Sequence, residues 1–350
     1  MKRRPGRADN QFGRAFFRQA ASDRESNTEH DMLHAGPTGR IRIAALALAT
    51  AALASPAFAQ RGLKSYDSRY YRIYTDLDPE SVREVQLRIE RMAETYHQRT
   101  RAFAGKISER LPFYMFRTPQ AYYAAGGLRG SGGLFDGERL MIIAGNTPTQ
   151  ATWQLMQHEG FHQFAHAVIG GEFPPWINEG MAEYFAESIF TGDGYVTGAI
   201  PPQRLARLKH WIDQGHTISI EEMMEMPHAA WNANLNVTNY DQAWSMVYFL
   251  AHGDNGRYQD ALNGLIRDTS RGVKWQQAWQ RHFGGTRAFE RRWRAYWRNM
   301  SDNPTADLYA RATVLKVTSF YARAFSQRQI YNDFESFLQA ARAHRLRMHK

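Results

Sequence analysis

The chain reads as an α+β protein, with a small mixed or antiparallel sheet packed on a mainly helical body. Three observations carry that expectation. Short aromatic-rich runs with a two-residue period lie before residue 145, an Asp-Gly turn joins two apolar runs there, and from Thr149 onward the apolar residues keep a helical period.

Arg69 to Thr75 (RYYRIYT) alternates as a strand does. Asp78-Pro79-Glu80 supplies an N-cap acid, a proline at the first helical position and an acid in the first turn, so a helix runs from there to about Phe103. Leu111 to Phe116 (LPFYMF) is a second short strand. The five glycines between Gly126 and Gly133 lack the G-K-[ST] ending of a phosphate cradle and read as a loop feeding an edge strand. Leu134-Phe135, Asp136-Gly137 and Arg139 to Ile143 form a hairpin, with Arg139 to Ile143 at the sheet edge. Helices then cover Thr149 to Ile169, Asn178 to Ile189, Pro201 to Gln214, Ile220 to Met226 and Tyr240 to His252. One domain thus spans 60–300, with its sheet part at 60–147 and its helical part at 148–300. Residues 301–350 form a C-terminal helical extension to which no role attaches.

Residues 1–59 differ from the rest. The first 40 are polar and Arg-rich, and Ile43 to Ala54 is a short apolar run that leads to Ala57-Phe58-Ala59. A charged region, an apolar core and a small-x-small ending are the parts of a secretory signal peptide, cleaved after Ala59. The apolar run is too short to span about 30 Å of hydrocarbon. The expected location is therefore periplasmic or extracellular. An n-region beginning at Met32 would have ordinary length, so translation is expected to start there.

Residues 60–350 carry 35 Lys/Arg against 29 Asp/Glu, a net charge of +6. Arg287, Arg291, Arg292, Arg294 and Arg298 cluster late. They form either a solvated helix face or a contact with an anionic partner such as an envelope surface. Export argues against nucleic acid. The chain has no cysteine, so it has no disulfide and no thiolate ligand, and a metal can be held only by histidine and carboxylate.

His158-Glu159-Gly160-Phe161-His162 is an H-E-x-x-H run. Positions i and i+4 share a helix face, so two imidazoles can meet one metal, and Glu159 can reach a water on that metal without ligating it. His166 extends the stripe, but it begins about 12 Å along the axis from His158 and cannot join the same ion. It reads as a core-facing or supporting histidine. Asn178-Glu179-Gly180 opens the next helix, with Asn178 as its cap, and the turn at Gly170-Gly171 and Pro174-Pro175 can bring Glu179 back as third ligand. Glu183, one turn on, can accept a hydrogen bond from a ligand imidazole. The plainer alternative is a solvated helix face, against which the apolar neighbours Trp176, Ile177, Met181, Tyr184 and Phe185 argue.

H-E-x-x-H followed by W-x-N-E-G-x-A-E-Y resembles the gluzincin zinc metallopeptidases, and more closely the peptidase-MA-like domains of exported bacterial proteins. The resemblance covers roughly residues 65–300, and its specific part is 158–185. It implies a thermolysin-like zincin core, one catalytic Zn2+ on His158, His162 and Glu179, Glu159 as general base and Glu183 behind a ligand. It also implies a tyrosine that donates to the oxyanion. Tyr240, 61 residues past Glu179, fills that role, with His228 as its rival. By the same analogy a peptide or protein substrate lies along the Arg139 to Ile143 strand. Three other readings stand beside peptide hydrolysis: a zinc-stapled binding or assembly module, a hydrolase of a non-peptide amide or ester, and a helical interaction domain with a coincidental motif.

Overall fold

The computed structural model describes residues 62–170, 173–233, 236–343 and 345–346. The expected signal peptide, its cleavage site and Met32 lie outside the described residues.

β1 (Lys64–Asp67), β2 (Tyr71–Thr75), β3 (Leu111–Phe116), β4 (Gly133–Phe135) and β5 (Leu140–Ile143) form one five-stranded sheet in the order β1-β2-β3-β5-β4. β2, β3 and β5 run parallel, while β1 and β4 pair antiparallel at the two edges. The sheet is therefore mixed. The edge beside the helical body is β4; the Arg139 to Ile143 segment, expected at the edge, lies inside as β5 because the hairpin folds outward from β3.

Alternation along β3 sets the two faces. Phe113 and Met115 pack with α1 (Pro79–Thr100), whereas Tyr114 and Phe116 pack with Tyr122 of α2 (Pro119–Ala124). Asp78 caps α1 as its sequence foretold, accepting from Glu80 and Ser81 N–H at 3.1 and 2.9 Å. β1 and α2 had no clear sequence signal, since each is short and neither shows a distinct period.

α3 (Gln150–Val168) starts at its cap Thr149 and lays Trp153 and Met156 onto the sheet beside Val85 and Ile89. It ends at Gly170, whose φ of +69° is left-handed and suits glycine. α4 (Pro175–Ala186) begins three residues before the expected start, because Pro175 takes the first helical position. Asn178 is consequently inside the helix, not its cap. Ile189, expected in the same helix, belongs to β6 (Ile189–Phe190), which pairs with β7 (Tyr195–Val196).

The remaining elements are α5 (Pro202–Asp213), α6 (Ile220–Glu225), α7 (His228–Ala233), α8 (Val237–Gly256), α9 (Gln259–Ser270), α10 (Trp275–Phe283), α11 (Thr286–Arg298), α12 (Ala306–Ser326) and α13 (Phe334–Arg342). α11 docks on α8 through Trp293 and Trp297, whose indole N–H groups donate to Ser245 Oγ and Ser245 O at 3.0 and 3.3 Å. Three of its arginines have partners within the protein: Arg292 with the Tyr258 hydroxyl, Arg294 with Glu290 and Thr217, and Arg298 with Asp213.

α4 is buried on nearly every side, which places it between α3 and α8. Two contacts fix it there. The Gln157 side-chain amide donates to the carbonyls of Phe185 and Ala186 at 2.9 Å and of Ser188 at 3.1 Å, tying α3 to the C-terminal end of α4. A Cβ on Gly180 would sit 2.5 Å from the Ala243 carbonyl oxygen and 2.7 Å from Val247 Cγ2, so only glycine lets the α8 backbone come this close.

Gly180→Ala is therefore expected to destabilise the protein by about 1–3 kcal/mol in denaturant unfolding, despite alanine's better helix propensity. A gain of about 0.5–1 kcal/mol, the propensity effect alone, would mean that the contact yields without strain.

Candidate metal centre

His158 and His162 sit one turn apart on the buried face of α3, and Glu179 meets them from the first turns of α4. The two Nε2 atoms are 3.2 Å apart. Glu179 Oε2 lies 3.4 Å from His158 Nε2 and 3.6 Å from His162 Nε2. A tetrahedral ion with bonds of about 2.0–2.1 Å spaces its ligand atoms by about 3.3–3.4 Å, so the three atoms form one face of such a tetrahedron. Glu179 Oε2 is buried and has no aligned donor in the protein. These three residues can hold a metal ion.

Each imidazole is oriented from behind. His158 Nδ1 lies 3.1 Å from Glu183 Oε1, close but out of line for an ideal hydrogen bond. His162 Nδ1 lies 3.2 Å from Asn178 Oδ1. A proton on either Nδ1 donates outward and leaves the Nε2 lone pair facing the centre. Glu183 was expected in this position. Asn178 was not, because taking it as a helix cap hid it; the proline at the first helical position was the available signal.

Behind Glu183 stands a cation that sequence reasoning missed. Arg204 of α5 is 5% exposed, and its Nη1 lies 2.7 Å from Glu183 Oε2 and 2.9 Å from Glu187 Oε1. Its Nε lies 2.7 Å from Asp241 Oδ1, and Arg207 holds the other oxygen of Asp241 at 2.7 Å. The Arg204 guanidinium also covers the Trp244 ring at 4.5 Å. Buried charges persist only when paired, and this chain of pairs keeps the Glu183 carboxylate ionised beside His158. No local pattern announces Arg204, which lies 21 residues beyond Glu183 on a separate helix.

Glu159 is 2% exposed. Its Oε2 accepts from the Phe135 N–H of edge strand β4 at 3.0 Å, and its Oε1 has no partner in the protein. Burial raises its pKa, offset in part by the two nearby imidazoles. Tyr240 lies in the first turn of α8, its ring 6.4 Å from that of His158 and edge-on to Trp231 at 5.3 Å. Its hydroxyl is buried without a partner, and burial followed by the Glu179 charge pushes its pKa up. His228 is exposed in the first turn of α7, with Nε2 3.2 Å from the Phe173 carbonyl oxygen. His166 is exposed as well, its ring 5.5 Å from that of Phe135; it does not face the core as expected, because at this end of α3 Phe164, Ala165 and Val168 take the core side of the helix.

Burial opposes charge on His158, but Glu179 and Glu183 outweigh it and hold the proton up to about 10. His162 is raised too, burial again being outweighed, here chiefly by Glu179. Burial would lift Glu179 and Glu183, yet His162 on the first and Arg204 on the second hold both down to about 2.

A family described as a protein of unknown function (DUF1570) matches residues 152–272. The matched stretch holds His158, Glu159, His162, Asn178, Glu179, Glu183, Arg204 and Tyr240, and leaves out the five-stranded sheet, α1, α2 and α10 to α13. A search of the curated proteins found none that matches the chain.

A metal must displace the proton that His158 holds at neutral pH, and the pKa of His162 is raised as well, so binding is expected to release at least one proton and to tighten as pH rises. Calorimetric titration of the metal-free protein in buffers of different ionisation enthalpy measures that number. Asn178→Ala should weaken binding by about 10–100-fold in the same titration while the one-to-one stoichiometry holds.

Proposed function

We propose that the protein is an exported zinc-dependent metallopeptidase of gluzincin type, with a thermolysin-like arrangement of its catalytic helices. The observation that carries this reading is Glu159. A metal that only staples helices needs no base, yet a carboxylate with one oxygen anchored and the other free stands next to the His158–His162–Glu179 triangle. Two imidazoles and a carboxylate at tetrahedral spacing suit zinc, and the donor chemistry disfavours calcium and magnesium, which take oxygen ligands. The apolar segment before Ala59 supports export.

When bound, zinc supplies Lewis acidity, polarising a carbonyl and lowering the pKa of a water to about 7. The protein does the rest. Phe135 N–H holds Glu159 Oε2, which leaves Oε1 without a partner in the protein. Oε1 takes a proton from the attacking water and delivers it to the leaving nitrogen, and its burial-raised pKa suits both transfers. Tyr240, kept protonated by burial, donates its hydroxyl to the oxyanion. Glu183 and Asn178 hold the imidazoles in one tautomer throughout. The substrate is a peptide or protein, and the β4 edge offers backbone groups to an extended segment.

One observation favours the zinc-stapled module instead: His158, Glu159 and Glu179 are 0%, 2% and 4% exposed, as in a closed core. Hydrolysis of a non-peptide amide or ester would use the same residues and differ only in the acyl partner.

A broad peptide library incubated with metal-loaded protein is expected to be cleaved. Glu159→Gln should retain one zinc per chain and lose at least about 1,000-fold in turnover. Tyr240→Phe should retain zinc and lose at least about tenfold. Zinc bound one to one, with wild type and Glu159→Gln equally inert on peptides, amides and esters, would assign the site to structure.

A further inference from the structure

Among the described residues, the large apolar side chains that stand exposed all belong to the C-terminal extension: Val314, Leu315, Tyr321, Phe325, Ile330 and Phe334. Ile330, Val314 and Phe325 are the most exposed, at 73%, 64% and 61%. Val314, Tyr321 and Phe325 recur at i, i+7 and i+11, which puts them on one face of α12. The opposite face carries buried Ala312 and Ser319 and the guanidinium of Arg323, which holds Gly192 O and Asp193 in the turn between β6 and β7. The apolar stripe therefore points away from the body of the protein.

α13 folds back to extend the same surface. Phe337 meets Tyr321, Tyr331 and Phe334 at ring separations of 5.4, 5.5 and 6.3 Å, and the Tyr321 hydroxyl donates to the Tyr331 carbonyl. The sequence of this extension is basic. Residues 306–350 contain eight Lys/Arg against three Asp/Glu, a net charge of +5, and Arg311, Arg328, Arg342 and Arg345 are exposed. No helix among the described residues is long and apolar enough to cross a membrane.

We propose that α12 and α13 form a docking surface for an anionic lipid bilayer, seating Phe325, Ile330 and Phe334 in the interface while the arginines meet the headgroups. Charge decides between occupants. Exposed aromatic and aliphatic side chains on a basic extension with four exposed arginines suit a surface that is apolar within and negative at its boundary. A second copy of the same basic face would be repelled. The inference is independent of the metal centre, because the extension contributes no residue to it.

The test is co-sedimentation of the protein, as isolated from expressing cells, with vesicles of phosphatidylcholine containing phosphatidylglycerol and with vesicles of phosphatidylcholine alone. Binding to the anionic vesicles is expected to exceed binding to the neutral ones by at least about tenfold and to weaken as salt is raised. Phe325→Ser with Ile330→Ser should reduce it by at least about tenfold, with the melting temperature and zinc content unchanged because both side chains are exposed. Arg311→Glu with Arg328→Glu should remove the preference for anionic lipid. Absence of binding to either vesicle, or binding that the Phe325/Ile330 variant leaves intact, overturns the proposal. So does a dimer in light scattering that this variant turns into a monomer without any vesicle binding, which would give the face to a second copy.

Discussion

The centre depends on the close approach of α4 to α8, which Gly180 alone permits. Two imidazoles one turn apart on α3 define only one edge of a metal site. The third atom must come from another element and arrive within a few tenths of an ångström. α4 delivers it because it is gripped from both sides: Gln157 holds its C-terminal end to α3, and the missing Cβ of Gly180 lets α8 press against the residue next to Glu179. The same contact brings the first turn of α8, with Tyr240, to the same centre. The glycine of N-E-G is thus as structural as its glutamate is chemical.

Electrostatics explains why so polar a cluster can sit in a core. His158, Glu183, Arg204, Asp241 and Arg207 form a run of alternating charge in which each buried group touches one of opposite sign. Removing Arg204 would leave Glu187 buried without its cation and Glu183 facing only His158, which costs far more than the intact set contributes. The run also carries orientation from α5 through α4 to an imidazole on α3. Through Asp241 it includes α8 as well, so four helices are tied to the direction of a single lone pair.

Much of this was legible in the chain itself. Asp78 at a cap, the alternation of β3, the Asp-Gly hairpin and the i, i+4 histidines are local signals, and local physics decides them. The triangle of His158, His162 and Glu179 was legible because a buried, apolar-flanked glutamate after a tight turn has few other uses. What escaped was either too short to show a period, such as β1, or fixed only by tertiary packing. The hairpin's strand order reversed the expected edge, since a sequence cannot say on which side a hairpin folds. Asn178 was misread by one turn, although Pro175 held the correcting information. Arg204 carried no mark at all, because a lone arginine on an amphipathic helix looks the same whether it meets water or three carboxylates.

The donor atoms at the centre are two nitrogens and an oxygen, in a chain without cysteine. Imidazole and carboxylate do not undergo the stepwise oxidation that converts a thiolate to sulfenic and sulfinic acids. Peroxide or a disulfide-forming environment therefore has no ligand here to attack, and thiol reductants have nothing to restore. A metal held here would answer to acidity and to competing chelators, and its ligands would be indifferent to thiol redox state.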